Sequence, residues 1–229
     1  MVLLSRMTVS VRLDRVRHVY GGGRRPEVGA LGPIDLEIGP GELVAVVGPP
    51  GCGKSTLLSL LAGFQRPTAG TVSVAGADVR GPGPDRGVVF QHPYLHPWLS
   101  VRDNVAFGLR MRGVGKQARH VAADAQLARV GLDEFADARP YELSGGMQQR
   151  CQIARMLASE PAIMLLDEPF GALDPQGREL VRAALSGRTG LFTTRSAEEA
   201  AFLGTRVLVM SERPGRIVRD VRVTPRAAA

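Results

Sequence analysis

A nine-residue glycine-rich stretch, set between an apolar run and a helix-forming run, constrains this chain more than anything else in it. Leu43-Val-Ala-Val-Val47 is continuous, apolar and β-branched, so it reads as a strand buried in a parallel sheet. Thr56-Leu-Leu-Ser-Leu-Leu-Ala62 reads as a helix closed by Gly63. Between them run Gly48, Pro49, Pro50, Gly51, Cys52, Gly53, Lys54, Ser55 and Thr56, a match to G-x-x-x-x-G-K-[ST]. Strand, glycine loop and helix in that order call for an α/β fold. Glycines let backbone N–H groups turn inward around phosphate oxygens, and the helix dipole favours the anion. Lys54 is expected to reach the β- and γ-phosphates of a nucleoside triphosphate, and Ser55 to ligate Mg²⁺. A glycine-rich turn that matched by chance would lack the flanking strand and helix.

A second set of residues completes the chemistry. Residues 162–166 form another short apolar run suited to a central strand, and Asp167 ends it where an open α/β sheet places ligand-binding groups. Asp167 is the natural carboxylate for the Mg²⁺ shell, and Glu168 is placed to orient or deprotonate an attacking water. Taken alone, the pair reads equally as a strand followed by an acidic turn. Ser144, Gly145 and Gly146 precede a helical stretch over residues 147–158. Ser144 can cap that helix and the glycines allow close backbone approach, which makes a second anion site. The plainer reading is an ordinary cap with a glycine-rich approach.

Phosphate loop, Leu-Ser-Gly-Gly stretch and apolar-Asp-Glu strand together resemble the ATP-binding-cassette (ABC) ATPases, over nearly the whole chain. The resemblance implies an α/β fold: a P-loop NTPase core of ABC type with an antiparallel β subdomain and a small helical lobe. Residues 1–229 are then one ABC ATPase domain. Core and β subdomain take about 8–92 and 144–223, the lobe about 93–143, and a loose tail 224–229. It also implies two subunits packed head to tail, each ATP held between the phosphate loop of one and the Leu-Ser-Gly-Gly of the other. Tyr20 sits where an aromatic stacks on adenine; the alternative is a core or turn tyrosine. Gln91 matches the glutamine that senses Mg²⁺ and the water. Ala172-Leu-Asp174 matches the loop that crosses the dimer interface.

Composition narrows the class. With 229 residues, 44% of them hydrophobic, one globular unit with a subsidiary lobe is expected. Cys52 and Cys151 are too few for a disulfide framework or a cysteine-rich zinc site, and suit a reducing cytoplasm. No apolar run approaches the roughly 18 residues of a membrane span, and Met1-Val-Leu-Leu4 is short for a signal-peptide core. Met7 is a second candidate start, because the alternating run 8–13 follows it. The net charge of +7 invites a nucleic-acid reading, but arginine outnumbers lysine 27 to 2 and the basic residues are scattered without aromatic interleaving. No nucleic-acid partner is expected; a basic surface also suits an anionic inner leaflet.

Residues 93–142 read as mostly helical, broken by Gly113-Val-Gly115 and Gly131; 71–74 and 217–223 read as strands. Repair-type ABC proteins split the cassette with a long insert and translation types carry two cassettes; this chain shows neither. Gly81-Pro-Gly-Pro-Asp-Arg-Gly-Val-Val-Phe-Gln91, Leu95-His-Pro-Trp98, residues 101–109 and Ser211-Glu-Arg-Pro-Gly-Arg-Ile-Val218 are similar to the ATPase subunits of bacterial taurine, alkanesulfonate and nitrate importers, the taurine type above all. That resemblance implies a peripheral subunit on the cytoplasmic face of the membrane. Its partners are a second ATPase subunit, permease subunits and, indirectly, a solute-binding protein. Trp98 falls near the groove that receives a permease helix, or simply packs the lobe.

The chain departs from the family pattern near the γ-phosphate. Arg195 stands where a histidine is expected before Glu-Glu-Ala, and Pro50 replaces a Ser or Asn. The span from Asp174 to Arg195 is short, and Met147 replaces a common Gln. Proline offers no N–H. Arginine only donates, whereas histidine can also accept. A catalytically weakened subunit that works with an intact partner is therefore one reading; a homodimer in which Arg195 substitutes is the other.

Overall fold

Apolar and polar residues alternate through β1 (Val11–Gly22), and Val11, Leu13, Val16 and His18 turn inward. The alternation slips once. Arg15 takes φ 46°, a bulge that leaves Arg15 outside and brings Val16 to the core face. The computed structural model describes residues 9–23 and 25–223; Met1-Val-Leu-Leu4, Met7, Thr8 and the tail 224–229 lie outside the described residues. β1 pairs antiparallel with β2 (Arg25–Ile38) and β4 (Ala69–Val74), and β5 (Ala77–Asp78) folds back on β4. The resulting sheet has the order β2-β1-β4-β5.

A second, six-stranded sheet carries the candidate site. Besides β3 (Leu43–Val47) it contains β6 (Arg86–Val89), β7 (Ile163–Asp167), β8 (Gly190–Thr194), β9 (Arg206–Met210) and β10 (Ile217–Arg222), in the order β10-β9-β3-β8-β7-β6. β3, β7, β8 and β9 are parallel, and β10 returns antiparallel to β9. β8 is buried along its full length, as are β3 and β7 except at their last residues, which is why they read as unbroken apolar runs. The register aligns Val47 with Thr194 and Asp167 with Thr193. Gly48, Asp167 and Arg195 therefore emerge at one edge of the sheet, at the C-terminal ends of its parallel strands. α1 (Lys54–Ala62) follows the loop after β3, packs on β7 and β8, and stops at Gly63, whose φ of 78° ends the helix. α7 (Ala197–Leu203), capped by Ser196, packs on β3.

The chain divides into two units. The first takes the chain up to Arg86, Ala162–Asp167, and the chain from Gly187 on; the second takes Gly87–Pro161 and Glu168–Ser186. The second unit is helical: α2 (Val101–Val105), α3 (Phe107–Met111), α4 (Lys116–Arg129), α5 (Gly145–Ala158) and α6 (Pro175–Leu185), with single 3₁₀ turns at Asp133–Phe135 and Pro140–Glu142. Its core gathers Val101, Val105, Ala123, Leu127, Ile153 and Leu157. Arg102 joins α2 to α4 through Asp124 (2.6 Å) and also pairs with Asp137.

Residues 93–100 are not helical, contrary to the expectation for 93–142. Pro93 and Pro97 deny that segment a helical ladder. Buried Asn104 stitches it instead. Its Oδ1 accepts from His96 N–H (2.7 Å), and its Nδ2 donates to the carbonyls of His96 and Ser100 (3.1 and 3.0 Å).

Candidate nucleotide-binding site

In the first unit, the loop from Gly48 to Gly53 is held open by its own geometry. Cys52 N–H donates to the Pro49 carbonyl (3.3 Å), so Pro49 to Cys52 close a turn whose central residues are Pro50 and Gly51. Gly51 has φ 76°, which only a glycine takes without strain. Proline before a positive-φ glycine is the favoured filling of a type II turn. Pro50, which the sequence marks only as a lost donor, therefore pre-sets the loop. Gly53 also has φ 103°, and as the N-cap of α1 it brings no side-chain acceptor. The first-turn N–H groups of α1 are left without a side-chain cap, and no acidic residue stands in that turn. This end of the helix fits an anion.

Lys54 is buried in the loop. Its Nζ donates to the carbonyls of Gly48 (2.7 Å) and Pro49 (3.1 Å) and reaches Cys52 Sγ at 3.8 Å. Cys52 is itself only 1% exposed, so its thiol is closed to reagents. Thr56 and Gln65 both hydrogen-bond the Tyr20 hydroxyl (3.2 and 2.9 Å). That fixes Tyr20 beside α1, edge-on to His18, and leaves it partly exposed.

Two hard oxygen donors converge where Mg²⁺ is expected. Ser55 Oγ donates to Asp167 Oδ1 at 3.4 Å. The same oxygen accepts a short bond, 2.5 Å, from Thr193 Oγ1 on β8. A hydroxyl and a carboxylate suit Mg²⁺, which keeps waters and phosphate oxygens for its other positions. Thr193 is a functional candidate that sequence reasoning misses. Only the β7–β8 pairing places it opposite Asp167, and nothing local in Phe192-Thr-Thr194 signals it. Arg195 is exposed in the turn between β8 and α7. Thr194 beside it donates to Glu199 (2.5 Å), and Ser196 Oγ accepts from Glu199 N–H (3.2 Å), so the turn itself is firmly built.

The second unit brings together Gln91 and Glu168, with Nε2 donating to Glu168 Oε2 at 3.2 Å. Glu168 has φ 44°, a strained backbone for a non-glycine residue of the kind that gathers at functional sites. α5 grips the segment around Gln91 on both sides. Buried Gln152 donates to the Phe90 carbonyl (2.9 Å), and Arg155 to the Tyr94 carbonyl (2.7 Å). At the other end of α5, Ser144 Oγ caps Met147 N–H (3.3 Å). The helix starts at Gly145, two residues before its expected start. Gly145 faces open space, whereas a Cβ on Gly146 would lie 2.8 Å from the Ala172 carbonyl. Gly146 is thus required by packing against the Ala172-Leu-Asp174 loop. Asp174 accepts from Gly177 N–H (2.8 Å) and caps α6. Trp98 is 70% exposed, so lobe packing does not explain it.

The parallel sheet, the glycine loop entering a helix, and the Asp-Glu strand end define a P-loop ATPase cassette, and residues 31–171 match the family described as ABC transporter. The chain belongs to that family, as an ATPase of the cassette type. Among its relatives, it is 53% identical over 211 residues to the taurine import ATP-binding protein TauB of Burkholderia pseudomallei (strain 1710b), covering 90% of this chain and 81% of that protein. It is 49% identical over 207 residues to the nitrate import ATP-binding protein NrtD of Synechocystis, covering 88% and 78%. A solved dimeric ATP-binding cassette in a post-hydrolysis state, bound to ADP and Pi, superposes with a TM-score of 0.83 at 31% identity, covering 93% of this chain and 99% of that one.

Proposed function

We propose that the chain is the ATP-binding and ATP-hydrolysing subunit of a membrane importer, with taurine or a related sulfonate as the transported solute. The observation that carries the ATP reading is the loop itself: buried Lys54 on the carbonyls of Gly48 and Pro49, beside Ser55 and Asp167 converging on one point. The importer reading is supported by the identity to the taurine import protein across 90% of the chain.

The residue roles follow from their chemistry. Lys54 exchanges its loop carbonyls for phosphate oxygens, and the N–H groups of the loop and of the first turn of α1 bind the β-phosphate. Tyr20 offers its ring to the adenine. Ser55 and Asp167 hold Mg²⁺, which when bound neutralises charge on the phosphates, while Thr193 keeps Asp167 turned toward it. Glu168 takes a proton from the attacking water, and Gln91 orients that water. Ser144, Gly145 and Gly146 serve the ATP of a second subunit packed head to tail. No helix among the described residues is long and apolar enough to cross a membrane. We place the subunit on the cytoplasmic face, attached through permease subunits that take their solute from a binding protein, with exposed Trp98 in the docking region.

Proteoliposomes that hold the chain with its permease, supplied with the binding protein, test this. ATP hydrolysis should rise with taurine and not with nitrate. Stimulation by nitrate alone would move the solute. Activity without any membrane subunit, together with strong salt-dependent DNA binding, would point to a nucleic-acid-associated ATPase. A second reading is favoured by Arg195, which is exposed at the end of β8 and cannot relay a proton as histidine can. On that reading the chain is a weakened subunit that works with a partner of intact chemistry.

A further inference from the structure

We propose that Arg213 is a positioning residue for the phosphate loop, acting through the carbonyl of Gly51; this rests on the ATP reading given above. The turn between β9 and β10, Ser211-Glu-Arg-Pro-Gly-Arg216, has no part in the chemistry described so far. It is rigid in its own right: Ser211 N–H donates to the Arg216 carbonyl (2.9 Å), and Arg216 N–H to Ser211 Oγ (3.1 Å). It is also tied to β2 from both sides. Gly215 N–H donates to the Ala30 carbonyl (3.0 Å), and Gly32 N–H to the Gly215 carbonyl (2.9 Å).

From that platform the turn meets the loop twice. Gly215 lies so close to the Cys52 carbonyl that a Cβ would stand 1.9 Å from its oxygen. Arg213 Nε donates to the Gly51 carbonyl at 3.2 Å. The peptide that joins Gly51 to Cys52 is therefore held at both ends. Its oxygen is held by Arg213, and its N–H by the Pro49 carbonyl (3.3 Å). A phosphate loop works because successive N–H groups point inward, which requires the facing carbonyls to point out. A donor that fixes an outward carbonyl fixes the peptide plane, and with it the N–H directions on either side. Gly51 needs such a hold because a glycine at φ 76° has little intrinsic preference to keep its plane. A guanidinium suits the task, being planar and permanently charged.

The test uses the purified chain with Arg213→Ala, Arg213→Lys and Gly215→Ala, and Lys54→Ala as the non-binding control. Dissociation constants for ATP, ADP and AMP are measured by equilibrium titration beside thermal unfolding and steady-state hydrolysis. Arg213→Ala should weaken ATP and ADP alike by about 3- to 10-fold, the range for one exposed hydrogen bond. AMP, which lacks the β-phosphate that the loop surrounds, should bind as in the parent. KM should rise with kcat within about twofold, since binding is lost uniformly. Arg213→Lys should recover part of the affinity, and Gly215→Ala should lose more than Arg213→Ala. The inference is overturned if Arg213→Ala binds ATP as the parent does. It is equally overturned if AMP weakens as much as ATP, or if the loss tracks a lowered melting temperature that lysine does not restore. A parent chain that binds ATP no better than Lys54→Ala would instead overturn the ATP reading.

Discussion

Replacing Thr193 with valine removes one hydroxyl and keeps the shape and the β-branching that strand β8 favours. Thr193 is fully buried, and its Oγ1 donates to Asp167 Oδ1 at 2.5 Å. Ser55 Oγ also donates to that oxygen, but at 3.4 Å it adds little. A hydrogen bond to a charged acceptor is worth about 1.5–3 kcal/mol, and water reaching the half-buried carboxylate should return part of it, leaving a loss of about 1–2 kcal/mol. For a chain of this length that is a fall in Tm of about 2–4 °C. The functional effect is separate. An outer partner that orients a metal-ligating carboxylate typically contributes about 10- to 100-fold to metal affinity. In a Mg²⁺ titration of ATPase activity at saturating ATP, Thr193→Val should need at least about tenfold more Mg²⁺ for half-maximal rate, while Thr193→Ser stays near the parent. If the Mg²⁺ curve of Thr193→Val overlays that of the parent while Tm falls, Thr193 only packs the sheet and the reasoning fails.

Lys54→Ala should abolish nucleotide binding without unfolding the chain, because the hydrogen bonds lost run only to the loop's own carbonyls and a cysteine; retained ATP affinity in a titration would contradict this. Arg195→His should raise the hydrolysis rate of the chain alone by about 10- to 100-fold if one charge-assisted contact is restored in the transition state. A revertant no faster than a parent that is already brisk as a homodimer would show that Arg195 substitutes fully. Neither cysteine should react with maleimide in the folded chain, and both should react in denaturant. Cys52 and Cys151 are buried, and burial pushes the Cys151 thiol up to about 12 against the pull of Arg155. Fast labelling of the native chain would refute the burial. Gln152→Leu removes the buried hydrogen bond that Gln152 donates to the Phe90 carbonyl and should cost about 1–3 kcal/mol in a urea unfolding curve; an unchanged midpoint would show that this bond adds nothing to stability.

What could be read in advance was whatever local sequence determines. Leu43–Val47 and Lys54–Ala62 fall where an apolar run, a glycine loop and a closing glycine put them, since strand, loop and cap each carry their own chemistry. Asp167 stands at the end of its strand for the same reason. What escaped depends on partners distant in sequence. Thr193 matters only because β8 lies beside β7. Gln152 matters because α5 packs beneath the segment that follows β6. Pro50 shows a different limit: a residue judged by the donor it lacks turned out to shape a turn, which shows only when Gly51 is seen at φ 76°. The helical expectation for 93–100 weighed overall character above two prolines, and the prolines prevailed.

The resting place of Lys54 has a consequence for how the chain chooses its ligand. With its ammonium already out of water and seated on two carbonyls, Lys54 would meet the proposed nucleotide by an exchange of partners and not as a free cation. The long side chain has already surrendered its rotamer freedom in folding, so that entropy is not charged again to binding. Only a newcomer that accepts hydrogen bonds more strongly than two peptide carbonyls can draw the lysine away. Phosphate oxygens meet that standard, while neutral or weakly accepting metabolites do not. On the proposed ATP reading, the loop would therefore favour strong acceptors before any contact with the base is made.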